Sequence, residues 1–313
     1  MSEEVQQNAA ERWFELMLHG ELEEVWKISD EGLKARAGKS EHHLPRHLQH
    51  IWQGGSLADK RVLVRCYHGL GDTIQFIRYA PLIKDIAKEV IVWAQPALIP
   101  LLERSAGIDK LLPLHDGIPE VEYDVDIEIM ECQHIFRTTL ARIPREVPYI
   151  FVQAKHLPRP EGNLAVGLIW KSGGWDARRD VPFELLKSLF DVPGITIFIM
   201  QADAAAAGWE EGFGNCPGAF EVPAYAAVLK GLDLVISVDS MPVHLAGALG
   251  VPVWNLLHAH ADWRWMKDRE DSPWYPTMRI FRQESAGEWE PVIEKVTAEL
   301  TKLSGRSVAN TVS

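Results

Sequence analysis

Two series of alternating strand and helix patterns constrain the fold of this chain more than any other feature. In the first series, strands are predicted at residues 61–66, 90–95, 110–114 and 124–130, and helices at 73–88, 96–105 and 132–141. After a stretch that contains four prolines, the pattern restarts, with strands predicted at residues 164–170, 195–201, 234–238 and 251–257. Such alternation is typical of parallel sheets that carry helices on both faces. The sequence therefore predicts an α/β protein with two Rossmann-like, doubly wound lobes and a ligand cleft between them.

The chain has 313 residues, more than the roughly 100 to 200 of a usual single domain. We predict a helical extension at residues 1–50, a first lobe at 51–155, and a second lobe at 156–313 that ends in a helix at 288–303 and a frayed polar tail. In the extension, apolar residues recur at helical spacing on both sides of Gly20, which predicts an antiparallel helix pair. A single pair cannot bury its apolar face alone, so we expect it to pack on the body of the chain or to mediate oligomerisation.

Charge and cysteine content restrict the partners. The 44 acidic residues outnumber the 32 Lys and Arg residues and give a formal net charge of -12, which argues against a nucleic-acid partner. The three cysteines have no spacing typical of metal sites, redox pairs or disulfide frameworks, and this favours a reducing, cytoplasmic location. Because no stretch approaches about 18 consecutive apolar residues, we expect at most peripheral membrane contact.

The first predicted strand is followed by a glycine-containing turn that ends in a carboxylate. Gly69 and Gly71 would let a ligand approach the backbone, and Asp72 would stand at the mouth of the cleft. There it would accept a proton from a hydroxyl group, or it would merely cap the following helix. The turn has neither the third glycine of a dinucleotide site nor the lysine of a phosphate-binding loop.

Residues 233–250 predict a buried strand followed directly by a helix. Asp239 and Ser240 stand at the helix start, where they would cap free N–H groups or frame a site for a phosphate or a sugar hydroxyl. His244 lies further along the helix and would be either a ligand contact or a satisfied core histidine. Both interpretations remain open for these residues.

A cationic loop precedes the helix that Pro182 opens. Lys171, Arg178 and Arg179 suit a diphosphate group, whereas the alternative is a solvated surface loop. Further along, residues 254–282 are unusually aromatic, and packing of a long loop is the alternative to ligand binding there. The candidate contacts to a sugar or a base are Gly71, Gln201, Trp263, Trp274 and Tyr275.

Two apparent metal signals do not predict a metal site. Asp124 and Asp126 have the spacing found in some metal-dependent transferases, but they lie in a strand pattern that predicts alternating exposed carboxylates. Four histidines lie in a polar connection without a carboxylate or cysteine framework: His42, His43, His47 and His50.

Four segments together resemble glycosyltransferase family 9, the heptosyltransferase-like family, and in particular its bacterial branch associated with tetratricopeptide repeats. These segments lie at residues 69–78, 166–170, 233–250 and 262–283, and the resemblance covers roughly residues 52–300. It implies a GT-B fold and metal-independent, inverting transfer from a nucleotide-diphosphate sugar, with no cofactor besides that donor. The acceptor would be a hydroxyl of a glycan, a lipid-linked molecule or a protein, in cell-surface glycan or protein glycosylation.

The resemblance also implies roles for individual residues. Asp72 matches the catalytic base, Arg179 matches the cation on the donor phosphates, and Asp239 and His244 match the donor-side pair. Two departures bear on donor preference: Asp180 stands where the branch commonly has serine, and residues 240–243 read Ser-Met-Pro-Val instead of Thr-Ala-Val-Ala. The alternative functions are a nucleotide-sugar epimerase of the same fold and a catalytically silent scaffold.

Overall fold

A computed structural model describes residues 3–41 and 43–311, so that His42 of the polar connection lies outside the described residues. The chain divides into two compact units. Unit 1 runs to Ile150 and also includes Asp262–Arg269, whereas unit 2 consists of Phe151–Ala261 and the chain from Glu270 onward. The predicted division at residue 155 lies close to the end of unit 1, but it does not anticipate that Asp262–Arg269 packs with unit 1.

The N-terminal helix pair packs on the body of unit 1. Helices α1 (Glu3–His19) and α2 (Leu22–Ala35) are separated at Gly20, whose positive φ of 73° suits glycine. The indole of Trp26 donates a 2.7 Å hydrogen bond to the carbonyl of Thr138, and Asp30 forms an ion pair with Arg137. The first of the two alternatives for this pair, packing on the body of the chain, is thus present in the structure.

Unit 1 contains a four-stranded parallel sheet, as predicted. Its strands are β1 (Arg61–Arg65), β2 (Glu89–Ala94), β3 (Lys110–Pro113) and β4 (Val125–Glu128), in the order β3-β2-β1-β4. Its helices after the N-terminal pair are short: α3 (Leu70–Phe76), α4 (Ala80–Lys84), α5 (Ile99–Leu102) and α6 (Cys132–Ile135). The predicted helix at 132–141 is wrong beyond Ile135, because Arg137 adopts a φ of 48° that a helix cannot continue through.

Two carboxylates, one just before β4 and one within it, face arginines of β1. Asp124 forms an ion pair with Arg61, and Asp126 forms one with Arg65, both with N–O distances of 2.7 to 2.8 Å. The Asp-x-Asp spacing therefore follows from the pairing of two neighbouring strands. Asp124 is exposed as predicted, whereas Asp126 is only partly exposed.

Unit 2 contains a five-stranded parallel sheet in the order β6-β5-β7-β8-β9. The strands are β5 (Leu164–Ile169), β6 (Ile195–Ile199), β7 (Leu234–Val238), β8 (Val253–Leu257) and β9 (Met278–Arg282). The helices are α7 (Phe183–Leu186), α8 (Val222–Lys230), α9 (Met241–Ala248) and α10 (Glu290–Thr311). The sequence did not predict β9, and the predicted frayed tail is wrong up to Thr311, since α10 continues there and buries Ser304.

Helix α9 approaches Tyr275 so closely that only glycine fits at Gly247. A Cβ atom at this position would overlap the ring of Tyr275, and that ring is completely buried. The close approach of the helix therefore depends on the missing side chain.

Gly247→Ala is expected to lower the melting temperature, because overpacking a buried contact costs about 1–3 kcal/mol. Helix propensity alone predicts the opposite sign, a gain of about 1 kcal/mol. Gly305→Ala is the matched control, because Gly305 also lies in a helix but has open space around it, and it should raise stability slightly. Thermal denaturation of both variants checks the prediction, and a stabilised Gly247→Ala variant would contradict it.

Candidate functional site

Each sheet has one topological switch point, which is a pair of neighbouring strands where the chain, after adding strands on one side of the first strand, adds the next strand on its other side. In unit 1 this pair is β1 and β4, and in unit 2 it is β5 and β7. Ligands of doubly wound sheets bind beyond the carboxyl ends of the strands at such points. The candidate residues should therefore lie in the segments that follow these four strands.

In unit 2, the switch point brings together Arg179 and Asp239. Arg179 lies in the loop after β5, and its Nη1 donates a 3.2 Å hydrogen bond to the carbonyl of Asp239, with the Asp239 carboxylate 3.6 Å away. Asp239 follows β7 directly and is 4% exposed, whereas the side chain of Arg179 keeps 20% of its surface accessible. A partly accessible guanidinium thus lies at the start of α9.

The side chain of the N-cap residue, Ser240, does not cap α9. Ser240 occupies the N-cap position, but its hydroxyl donates to the carbonyl of Val238 at 3.2 Å instead of accepting from the helix. The N–H groups in the first turn of a helix have no partner within the helix, and the helix dipole is positive at this end, so both features favour anions. In this structure the Ser240 side chain therefore does not act as a plain cap.

The other polar residues of the loop after β5 mostly hold the loop itself. The guanidinium of Arg178 binds both oxygens of Asp176 and is 67% exposed. Asp180 accepts hydrogen bonds from the backbone N–H and the hydroxyl of Ser172, so it closes the loop in this structure. Gln201 similarly accepts from the backbone N–H of Lys171 at 2.9 Å.

The aromatic candidates are packing residues in this structure. Trp274 and Tyr275 are completely buried, and the Tyr275 hydroxyl lies 3.0 Å from Nδ1 of His244, which is itself 6% exposed. Trp263 belongs to unit 1, where its ring meets Trp13 edge-on at 5.8 Å. The geometry favours the packing interpretation that the sequence left open.

In unit 1, Asp72 lies in the first turn of α3 and is held on two sides. One carboxylate oxygen accepts the backbone N–H of Gly69 at 2.9 Å, as a helix cap does. The other accepts from Nη2 of Arg264, whose Nε binds Gln75 and whose Nη1 binds Asp262. Asp72 keeps 26% of its side-chain surface exposed. It therefore combines the capping role with accessibility to a ligand, and Gly71 beside it adds no bulk.

Sequence reasoning missed three residues near these groups. Arg264 lies 192 residues from Asp72 in the chain, and no local pattern connects them. His68 directly precedes Gly69, and its Nε2 lies 3.7 Å from the carboxylate of Glu128 at the end of β4. The sequence held only part of the signal for this pair: His68 follows the predicted strand 61–66 and Glu128 lies within the predicted strand 124–130, but the adjacency of these strands was not predicted.

Burial shifts the titration of the His68–Glu128 pair in opposite senses. Loss of hydration lowers the pKa of His68, while the nearby Asp72 carboxylate opposes that change. Glu128 is 1% exposed, and burial together with the neighbouring Glu131 raises its pKa to about 8, against the effect of the N–H of Met130.

The raised pKa of Glu128 predicts a pH-dependent stability. Between about pH 4.5, where the unfolded carboxyl titrates, and about pH 8, the folded chain binds more protons, so stability falls as pH rises. The loss approaches about 1.4 kcal/mol per pH unit. Glu128→Gln should therefore lose less stability than the wild type between pH 5 and pH 8, while exposed Glu103→Gln should follow the wild type. Equal slopes in melting experiments would contradict the buried titration.

Within the described ranges, no group of three or more His, Cys, Asp or Glu side chains is arranged to hold a metal ion. None of the described helices combines the length and the apolar character needed to cross a bilayer.

One segment, which includes Asp239, Ser240 and His244 of unit 2, matches a known protein family. Residues 200–297 match the sequence model of glycosyltransferase family 9 (heptosyltransferase). This segment is thus similar to glycosyltransferase family 9. Over 286 residues the chain is 26% identical to Protein FlbA of Caulobacter vibrioides. This alignment covers 80% of this chain and 48% of Protein FlbA. The chain thus spans about half the length of the curated relative that it matches.

Several solved structures have a fold similar to that of this chain. Escherichia coli ADP-heptose LPS heptosyltransferase II matches with a TM-score of 0.52 and 16% identity, over 77% of this chain and 99% of that one. A family 9 glycosyltransferase from Veillonella parvula matches with a TM-score of 0.51 and 16% identity, over 77% and 91%. The iron-containing dodecameric glycosyltransferase TibC of Escherichia coli matches with a TM-score of 0.52 and 13% identity, over 83% of this chain and 78% of that one. The predicted fold class, α/β of the GT-B type with two Rossmann-like sheets, is confirmed.

Proposed function

We propose that this chain is a glycosyltransferase that moves a sugar from a nucleotide-diphosphate sugar to an acceptor hydroxyl. The observation that carries the proposal is the position of Arg179 at the start of α9, where the Ser240 side chain makes no cap. Asp239 and Ser240 lie within residues 200–297, which match the family 9 model. A guanidinium and a helix N-terminus together suit a diphosphate, because both present hydrogen-bond donors and positive charge.

Transfer proceeds by a single displacement with inversion at the anomeric carbon. The acceptor oxygen forms the new bond to that carbon as its bond to the diphosphate breaks, and the electron pair of the broken bond leaves with the diphosphate. Arg179 and the N–H groups of α9 stabilise the charge that develops on the leaving group, which is the role a metal ion would otherwise fill. Lys171, Asp239 and His244 complete the donor side.

Asp72 activates the acceptor. Its partly exposed carboxylate draws the proton from the attacking hydroxyl, and Arg264 and Gly69 hold it in one orientation. The acceptor belongs to a glycan, a lipid-linked molecule or a protein, and α1 with α2 is the remnant of a tetratricopeptide array. These finer assignments extend the proposal beyond the family match.

Product analysis with a radiolabelled donor tests the reaction class. Incubated with the donor alone, a transferase should release nucleoside diphosphate and free sugar slowly by transfer to water, with the first-formed anomer inverted in proton NMR spectra. A nucleotide sugar recovered with an altered ring stereocentre would instead identify an epimerase. Donor binding without any conversion, with or without acceptor extracts, would support a silent scaffold and overturn the proposal.

A further inference from the structure

We propose that the N-terminal helix pair is part of the apparatus that positions Asp72, because it holds the segment from which Arg264 reaches that carboxylate. The inference rests on the proposed function, since it gives the helix pair a part in the step for which Asp72 is the base. Arg264 is a positioning residue, and Trp13 of α1 positions it in turn. The helix pair thus contributes to transfer as well as to packing.

The guanidinium of Arg264 is held by three different side chains. Its Nε donates a 2.9 Å hydrogen bond to Oε1 of Gln75, and its Nη1 donates a 2.8 Å hydrogen bond to Oδ1 of Asp262. Nη2 donates to Oδ1 of Asp72. Gln75 is completely buried, and Arg264 is 8% exposed. Because the donors of a guanidinium form a rigid plane, these bonds together set the orientation of the Asp72 carboxylate.

The segment at residues 262–269 is fixed in unit 1 by contacts with α1. The backbone N–H of Lys267 donates a 2.8 Å hydrogen bond to the carbonyl of Leu18, in the last turn of α1. The ring of Trp263 meets that of Trp13 edge-on, with the ring centroids 5.8 Å apart. The chain on both sides of this segment belongs to unit 2, so contacts of this kind hold the segment in unit 1.

Trp263 connects the helix pair with the guanidinium. The central carbon of the Arg264 guanidinium lies 4.5 Å from the centroid of the Trp263 ring and 5.6 Å from that of Phe76. The rings of Trp263 and Phe76 are stacked with their centroids 6.5 Å apart, and Trp263 is 7% exposed. The same buried ring therefore contacts Trp13 and the guanidinium. Since buried side chains are closely packed, a shift of this ring also shifts Arg264.

The turn that follows Trp265 is also adapted to the helix pair. Met266 adopts a φ of 49°, which is uncommon for a residue other than glycine, and it is 3% exposed. A Cβ atom at Gly20, between α1 and α2, would lie only 3.3 Å from Sδ of Met266. The glycine thus lets the junction of the two helices approach the segment closely. Such a backbone conformation persists only where the surrounding structure holds it.

Surface charge contributes little to this arrangement. Lys267 and Glu15 form an ion pair at 3.5 Å, but their side chains are 45% and 64% exposed, and ion pairs between exposed groups are weak. The buried ring contacts and the backbone hydrogen bond carry the coupling instead. Because a misplacement of about 1 Å can cost about 100-fold in rate, a small movement of the segment is enough to slow transfer.

The kinetic test uses the full chain, the nucleotide sugar that binds best, and release of nucleoside diphosphate as the rate. Trp13→Ala should lower kcat about 10-fold to 100-fold and leave donor affinity unchanged, because the donor phosphates are assigned to unit 2. Phe14→Ala is the matched control and should match the wild type, since Phe14 is the next residue of α1 but is 41% exposed. Trp13→Phe, which keeps an aromatic ring, should recover most of the rate.

A double variant separates positioning from a loss of stability. If Trp13 acts through Arg264, Trp13→Ala should lower kcat much less in an Arg264→Met background than in the wild type. Equal fold-losses in the two backgrounds would overturn the coupling. If Trp13→Ala melts below the assay temperature, Trp13→Leu, which keeps an apolar side chain without an aromatic ring, takes its place.

Hydrogen exchange of the Arg264 Nε–H, followed by NMR, supplies a second measurement that needs no ligand. This group, which is bound to Gln75, should exchange at the same rate in the wild type and in Phe14→Ala, and about 10-fold faster in Trp13→Ala. Wild-type kcat, or wild-type exchange, in a folded Trp13→Ala variant would overturn the inference and leave the proposed function intact. A wild-type chain that binds a donor but never consumes it would overturn both.

Discussion

Asp72→Asn is expected to lower the transfer rate about 100-fold to 10,000-fold, the range that loss of a positioned acid–base group typically costs. The amide still accepts the N–H of Gly69, but it cannot take a proton and it loses the ion pair with Arg264. Donor affinity should change less than about twofold, because Asp72 lies in unit 1 and the donor phosphates are assigned to residues of unit 2.

Rate and affinity are measured separately for this variant, by nucleoside diphosphate release and by calorimetry. Asp85→Asn is the matched control, since Asp85 is an exposed aspartate of unit 1 whose side chain makes no hydrogen bond within the described residues. A thermal melt of Asp72→Asn shows whether loss of the Arg264 ion pair has unfolded the unit. A folded Asp72→Asn variant with near-normal turnover would remove Asp72 from the chemistry.

Arg179→Ala is expected to weaken donor binding about 10-fold to 100-fold. Charge-assisted hydrogen bonds contribute about 1.5–3 kcal/mol each. Truncation also removes the positive charge that lies beside the Asp239 carboxylate, so that this carboxylate repels the donor phosphates more strongly. Arg179→Lys should recover part of the affinity, because lysine keeps the charge but not the planar fork of donors.

Calorimetry with the intact donor measures this loss. Arg159→Ala serves as the control, because Arg159 is also a unit 2 arginine with an aspartate partner, Asp233, but lies on a different segment. Unchanged affinity in the Arg179→Ala variant would refute the assignment of Arg179 to the donor phosphates.

Most strands of the fold can be predicted from local sequence, because a strand buried in a parallel sheet appears in the sequence as a short run of apolar residues. All four strands of unit 1 and four of the five in unit 2 were predicted within a few residues. β9 was not, since Arg279 and Arg282 lie in an aromatic segment that was interpreted either as a long packed loop or as a ligand contact. The breaks after α3 and α6 also escaped prediction, because they depend on local backbone geometry such as the positive φ of Arg137.

The candidate sites were predictable where they depend on strand ends and hidden where they depend on distant pairing. Asp72, Arg179 and Asp239 follow predicted strands, so the rule for doubly wound sheets finds them. Arg264 could not be found in this way, because it reaches Asp72 across 192 residues as part of a segment that packs with unit 1. The side chains of the adjacent Arg178 and Arg179 have different partners. The Asp176 carboxylate binds the guanidinium of Arg178, whereas the guanidinium of Arg179 lies beside Asp239.

A thermal-shift screen of ADP-, GDP-, UDP- and dTDP-sugars against the wild type and Arg179→Ala tests the central claim most directly. A ligand that binds only the folded chain raises its stability by about 2.7 kcal/mol at a concentration of 100 times Kd. The donor-site account predicts that at least one nucleotide sugar raises the melting temperature of the wild type, and that the same ligand at the same concentration raises that of Arg179→Ala much less. No shift with any of the four classes, or equal shifts in both proteins, would contradict it.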